Sequence, residues 1–414
     1  MNARMTPPRQ HTPRRVARAA YFFGVRVATY PIQKWRKRAL REAYAVGSSN
    51  GARKAFAEEA DPAIVATGRT LRAQSLAANE GKHAAAGFRV LMVHPSGITA
   101  DFWFGDLAQC MRHAGIDCRV LPHDAATDAI NAEFESLQPN VFIAMEAPAV
   151  LQSLDLPFIQ RYKREKGCLR MFIPVWRSNA PGGYPTPGHD DWRRRLRAGG
   201  LTADTYFSIF EPEFHERFSH DPSGPAVDYA PVPMACNPFT DYPIDVSKRH
   251  DYFMATSLTP ERLEVSYRFL RPIVRRYQGL WAGPHWGFGT ASIPPAEMPL
   301  QYASSRIALS PLVGFVHRYG AELTHRVYAA AGCGAFQLTM PTEITARYFN
   351  HNELVQAGSP EEYVRLFDHY VDRPLERNVI ALAALRRAYG EHTCFHRIDR
   401  LVSCWERWRR QGLF

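Results

Sequence analysis

No C-x-x-C pair, no H-E-x-x-H motif, no internal repeat and no apolar run of membrane-spanning length occurs in this 414-residue sequence. Each absence removes a class. The seven cysteines (Cys110, Cys118, Cys168, Cys236, Cys333, Cys394 and Cys404) are scattered, and an odd, dispersed set fits reduced thiols in a cytoplasmic protein better than a disulfide framework. Among sixteen histidines one H-x-x-x-H spacing occurs, His392 and His396, with Cys394 between them. On a helix the two histidines would share a surface face while Cys394 points away, and two ligands without a third make a poor metal site, so no metal is expected.

Acidic residues are nearly missing from the first 54 positions. Arg4, Arg9, Arg14, Arg15, Arg18, Arg26, Lys34, Arg36, Lys37, Arg38, Arg41, Arg53 and Lys54 stand there against Glu42 alone, and the net charge of the chain is +11. The most apolar uncharged run in this stretch, Ala19–Val25, falls far short of the roughly 20 residues a membrane span needs. Arginines interrupt the apolar stretches, so a secretory signal is not expected. Tyr21, Phe22, Phe23, Val27, Tyr30 and Trp35 interleave with the cations. That pattern fits a segment lying on an anionic bilayer, and it equally fits a basic tail with no partner. No nucleic-acid motif accompanies the charge, so no nucleic acid is expected as a partner.

A hydrophobic content of 46%, with 24 Phe, 18 Tyr and 8 Trp, suffices for packed cores, and the length accommodates two domains. Residues 14–44 read as a basic helix broken or bent at Pro31, and residues 45–87 as a further helix and a linker. From Phe88 the pattern changes. Apolar runs at 89–93, 118–121, 141–145, 169–175 and 205–210 alternate with helical stretches, which indicates a parallel, helix-flanked sheet. Ala230–Asp245 is proline-rich and reads as a connector. A second series follows, with strands at 251–255, 279–282, 304–311, 335–339 and 343–350 and one amphipathic helix over 262–277. The tail, 375–408, is helical by pattern. Ligands of such sheets bind beyond the strand C-termini, so the residues just after each apolar run are the candidates.

The most informative stretch is Glu322–Phe336, E-L-T-H-R-V-Y-A-A-A-G-C-G-A-F. Thr324 reads as the cap of a small-residue helix whose N-terminus, with its unpaired N–H groups and partial positive charge, can hold a phosphate. Downstream, Ser359-Pro360-Glu361-Glu362 is a capping box with proline at the first helical position. Together with Glu353-Leu354-Val355 and the connector, these segments resemble the C-terminal half of GT-B glycosyltransferases, in particular the group related to the spore-maturation protein CgeB. The resemblance is good over roughly 250–405 and loose over 88–240. It implies an α/β fold of GT-B type, two Rossmann-like domains facing a cleft, with a basic helical extension. The expected divisions are 1–87 (extension and linker), 88–235 (acceptor domain), 236–390 (donor domain) and 391–414 (a helix packing back toward the first domain, with Trp405 and Trp408 at that contact).

The resemblance implies transfer of a sugar from a nucleoside-diphosphate sugar to a glycan, lipid-linked or other envelope acceptor, without a required cofactor or metal. The scattered cysteines point to the cytoplasm, and the basic start suggests a peripheral place at the inner face of the membrane. Ser257 and Thr259 follow the first strand of the second series, and Arg262 opens the next helix; hydroxyls and a guanidinium there suit a diphosphate. Trp286, in a segment resembling the family's Y-G-x-x-W element, is placed toward the base. His317, Arg318, Thr324, His325 and Arg326 supply further contacts to the leaving diphosphate, and Glu322 is placed at the transferred sugar. His94, Asp101 and Glu146, after strands of the first series, are the candidate bases. Trp176, Arg177 and Asn179 form a polar aromatic loop suited to an acceptor. One departure stands out: Ala329 occupies the position where the family has a ribose-holding glutamate, and alanine can neither accept hydrogen bonds nor carry charge. A GT-B-shaped binding or scaffold protein without activity, and a nucleotide-sugar epimerase, are therefore the alternatives.

Overall fold

The computed structural model describes residues 13–51, 58–94, 98–122, 124–144, 148–166, 170–174, 205–208, 228–290, 292–311 and 323–412. Two parallel sheets organise them. The first takes β1 (Arg89–His94), β2 (Asp117–Pro122), β3 (Val141–Ala144), β4 (Arg170–Pro174), β5 (Thr205–Ser208) and β6 (Asp228–Pro231) in the order β2-β1-β3-β4-β5-β6. The second takes β7 (His250–Ala255), β8 (Gly279–Ala282), β9 (Ser305–Ser310), β10 (Gln337–Thr339) and β11 (Val355–Gln356) in the order β11-β10-β9-β7-β8. Every pairing within both sheets is parallel. The inner strands are continuous apolar runs because helices cover both faces; β1 and β3 are fully buried from Val90 and Val141 onward.

The helices are α1 (Pro13–Gly51), α2 (Pro62–Asn79), α3 (Ile98–His113), α4 (Thr127–Leu137), α5 (Pro148–Ser153), α6 (Leu156–Lys166), α7 (Pro260–Phe269), α8 (Arg271–Arg276), α9 (Met298–Ala303), α10 (His325–Gly332), α11 (Thr345–Tyr348), α12 (Pro360–Val371), α13 (Pro374–Glu391) and α14 (Cys394–Arg410). Three differ from the sequence reading. α1 continues through Pro31 without a break. The amphipathic stretch 262–277 is two helices, parted at Leu270 where Pro272 withholds an N–H from a continuous ladder. Residues 343–350 are not a strand: Ile344, Tyr348 and Phe349 are buried at helical spacing by α11 and its flanks, and the edge strand is β11.

The connector joins the sheets through a dense junction. Asn237 donates to Asp106 of α3 (2.8 Å) and Gln109 (2.9 Å), and its backbone N–H donates to Asp241 (2.8 Å). α14 returns to the first sheet, where Trp405 packs edge-on against Phe88 (5.0 Å) and Arg409 donates to the Ala86 carbonyl (2.7 Å). His392 and His396 are not a surface pair. His392 is buried before α14 and hydrogen-bonded to the Tyr348 carbonyl (2.7 Å). Burial, then the neighbouring Arg397, push its pKa down to about 3, so it is neutral.

α2 straps the back of this junction. Its N-cap Asp61 accepts from Ala63 N (2.7 Å) and its Arg72 donates to the Pro238 carbonyl (2.8 Å). A β-carbon at Gly68 would meet Pro243 at 2.3 Å, so only glycine permits the approach.

Candidate active site

The strand orders fix where ligands enter. In the second sheet β7 leads to β8 on one side, and β9 leads to β10 on the other. The crevice between the C-terminal ends of β7 and β9 is therefore the switch point. Residues 256–259 leave β7 beside it, and α10 begins there after β9.

Arg326, in the first turn of α10, spans the crevice. Its Nη1 donates to the Ala255 carbonyl at the end of β7 (2.9 Å) and lies 3.6 Å from the Met254 sulfur. Both acceptors are neutral, and no carboxylate among the described residues pairs with this guanidinium. Burial lowers its pKa below the usual arginine range. Thr324, the N-cap, differs from Thr259 and Ser359, the N-caps of α7 and α12. Thr259 and Ser359 turn their hydroxyls back onto Arg262 N (3.3 Å) and Glu362 N (3.1 Å), whereas the Thr324 hydroxyl makes no cap bond and is buried without a hydrogen-bond partner among the described residues. A half-used cation and an orphaned hydroxyl thus sit together at a helix N-terminus.

The wall beside them is rigid. Thr256 N donates to the Ala282 carbonyl (2.9 Å), Leu258 N to the Pro284 carbonyl (3.1 Å) and the Trp286 indole to the Thr256 carbonyl (2.7 Å). Gly283 permits this approach, since a β-carbon there would lie 1.8 Å from the Thr256 oxygen. Trp286 is wholly buried against Trp281 (4.9 Å), so it holds the loop and has no face to offer a base. Arg262 donates to both the hydroxyl and the carbonyl of Ser257. Ser257, Thr259 and Arg262 thus come together, braced by one another.

His325 points the other way, into the domain junction. Its Nε2 lies 3.3 Å from Asp106. Burial works against its charge, yet the hydrogen bond to Asp106 and the charges of Asp241 and Asp106 leave its pKa raised. Burial pushes Asp241 up to about 6. This Asp106–His325–Asp241 cluster ties α10 to the first domain and the connector. It leaves no signal in sequence, because its members come from three distant segments.

Ala329 packs into the apolar cluster of Phe253, Ala282, Tyr302, Ala308 and Cys333. On the first sheet, His94 ends β1 beside that sheet's own switch point between β1 and β3, buried and stacked on Phe104 (5.3 Å). Asp101 lies in α3, but its side chain is not among those described. Glu146, Glu322, His317, Arg318, and the loop of Trp176, Arg177 and Asn179 lie outside the described residues. Among the described residues no group of three or more His, Cys, Asp or Glu side chains is placed to hold a metal.

Residues 262–403 match the model of a family described as glycosyl transferase-like. No curated protein sequence matches the chain. Among solved structures, sucrose-phosphate synthase from Thermosynechococcus elongatus superposes with a TM-score of 0.56 at 9% identity, covering 78% of this chain and all (100%) of that one. An α-glucosyltransferase solved with UDP and a 13-mer DNA gives 0.51 at 10% identity, covering 77% of this chain and 100% of that one. HepE from Anabaena, solved with UDP and glucose, gives 0.50 at 9% identity, covering 77% and 99%. At such identities the likeness concerns the fold, and the fold is GT-B.

Proposed function

We propose that the protein is a glycosyltransferase. It takes a sugar from a nucleoside-diphosphate donor at the second sheet and passes it to a glycan, lipid-linked or other envelope acceptor held by the first. One observation carries this reading: at the β7/β9 switch point the desolvated Arg326 guanidinium has only neutral partners, and the Thr324 hydroxyl beside it none, among the described residues. The match of 262–403 to a glycosyl transferase-like family supports it, as do the UDP complexes of HepE and the α-glucosyltransferase.

Arg326 and the α10 N-terminus meet the charge of the diphosphate as the bond to the sugar breaks. Preorganised donors of this kind stabilise a leaving group without reorganising. Arg262, fixed by Ser257, borders the same wall, while His317 and Arg318 belong to the segment between β9 and α10. Glu322 stands just before α10 for the sugar. His94, with Asp101 and Glu146 as the other candidates, takes the acceptor proton. These cations fill the role a metal ion would otherwise take, so turnover should survive chelation by EDTA.

The test is a panel of radiolabelled UDP-, GDP- and ADP-sugars, with and without envelope glycan extracts. Transfer to an acceptor, or slow donor hydrolysis, supports the reading. Neither from any donor counts against it, and sugar isomerised without acceptor would indicate an epimerase.

Ala329 favours a second reading, a non-catalytic binding protein. The helix position expected to hold ribose is filled by a methyl group in an apolar cluster. Absence of affinity for every nucleoside diphosphate would select that reading.

A further inference from the structure

Charge is unevenly divided in this chain. Residues 1–54 hold 13 of its 51 basic residues and one of its 40 acidic ones, so the remainder is close to neutral. Most of that segment is α1, and its second half is docked. A β-carbon at Gly47 would clash with the Val274 and Tyr277 carbonyls, so the helix lies directly on the turn before β8. Tyr44 donates to the Gly279 carbonyl at the start of β8 (3.4 Å). Lys37 donates to the His285 carbonyl in the loop after β8 (2.6 Å), and Arg36 faces Glu264 (3.7 Å). These contacts run from one end of β8 to the other. The N-terminal direction of α1 is therefore that of the sheet's C-terminal edge, the edge carrying Arg326.

Docking uses one side of the helix, with Leu40, Ala43 and Gly47 buried. The opposite side carries Lys34, Arg38 and Arg41, spaced i, i+4 and i+7 and hence aligned in one exposed stripe. Tyr30 (64% exposed) and Trp35 (56%) flank it, Trp35 resting partly on Tyr267 (5.0 Å), while Ile32 (50%) and Val46 (43%) are exposed further round the helix. One acid, Glu42, meets the stripe, in an ion pair with Arg38 (2.7 Å). Exposed aromatic rings beside aligned cations are what an interfacial helix presents to headgroups and acyl chains together.

We propose that this outward face of α1 docks on an anionic lipid bilayer and turns the Arg326 edge toward that surface. The stripe complements anionic headgroups, and Tyr30 and Trp35 have the amphipathic rings that settle at a membrane interface. A nucleic acid would satisfy the cations but not exposed Ile32 and Val46. Among the described residues no helix is long and apolar enough to cross a membrane, so the contact is a surface one. The inference does not depend on glycosyl transfer, because binding needs no turnover.

The full chain is sedimented with vesicles of phosphatidylcholine alone and of phosphatidylcholine with phosphatidylglycerol, in low and high salt. Partition into the anionic vesicles should be stronger by roughly tenfold or more, and should weaken with salt. The triple variant Lys34→Glu, Arg38→Glu, Arg41→Glu should lose that preference with an unchanged melting temperature. Should it melt early, Tyr30→Ser provides the second arm, expected to weaken binding several-fold in low and high salt alike. Equal partition into both vesicle types overturns the proposal. So does undiminished binding by the folded variants, or a DNA duplex displacing the protein from vesicles at equal phosphate concentration.

Discussion

The two edges of the second sheet hold buried cations in opposite ways. At the N-terminal edge, Arg306 pairs with Glu58 (2.9 Å), Asp251 (3.0 Å) and Asp372 (3.3 Å), and Arg377 pairs with the same Glu58 and donates to the Val371 carbonyl (2.7 Å). Lys248, donating to the Ala303 carbonyl (2.8 Å), is pushed down by burial to a pKa of about 8. Acids from α2's approach and from the sheet itself neutralise this edge. At the C-terminal edge Arg326 has a carbonyl and a thioether. Absence of an acid alone does not mark a site, since among the described residues buried Arg397 also has none. Arg397, however, spends its donors on the carbonyls of Pro233, Met234 and Glu391. Arg326 uses one nitrogen, and its Nε and Nη2 make no hydrogen bond among the described residues. A cation that folding has neither neutralised nor saturated is kept for something that arrives later.

Breaking the neutralised edge should have the largest effect. Arg377→Met leaves Glu58 to Arg306 alone and takes the donor from the Tyr370 and Val371 carbonyls, and it should cost about 1–3 kcal/mol of stability, read as an earlier chemical-denaturation midpoint. Nucleotide affinity of the folded fraction should be unchanged. The same replacement at the other edge, Arg326→Met, should leave stability within about 1 kcal/mol or raise it, since it removes a desolvated charge with no acid to strand. Equal losses at the two positions would erase the distinction between the edges.

Smaller effects sharpen it. Thr324→Val keeps shape and removes an orphaned hydroxyl. It should stabilise slightly while weakening nucleotide binding by about 1 kcal/mol, a factor near five. At the domain junction, the raised pKa of His325 means its contribution to stability is complete below its ordinary value of 6.5. That contribution is lost as pH rises through the higher folded-state value. Asp106→Asn should move the His325 titration downward, visible by NMR of its ring proton, and flatten that part of the stability profile.

Much of this architecture was legible in the sequence because it is local. Apolar runs of strand length gave both sheets, and Ser359-Pro360-Glu361-Glu362 announced α12, whose Ser359 hydroxyl does cap Glu362 N. Thr324 read as a helix cap, which is right for the backbone; that its hydroxyl stays unused shows only in three dimensions. The 343–350 segment misled because Ile344, Tyr348 and Phe349 form a short apolar cluster, for which strand and helix periods are hard to separate. Trp286 read as a ligand-facing aromatic, and burial against Trp281 makes it a brace. The links of the neutralised edge and of the domain junction, Glu58 to Arg377 and Asp106 to His325, join residues hundreds of positions apart and obey no spacing rule.

The central claim is that the unneutralised edge of the second sheet receives a nucleoside diphosphate through Arg326. Isothermal titration of UDP, GDP and ADP into the wild type and into Arg326→Met tests it without any acceptor. One of the three should bind the wild type, and the variant should bind it at least about tenfold more weakly, as expected for loss of a charged hydrogen bond. Equal affinity in the two proteins, or no binding of any of the three to the wild type, would contradict it.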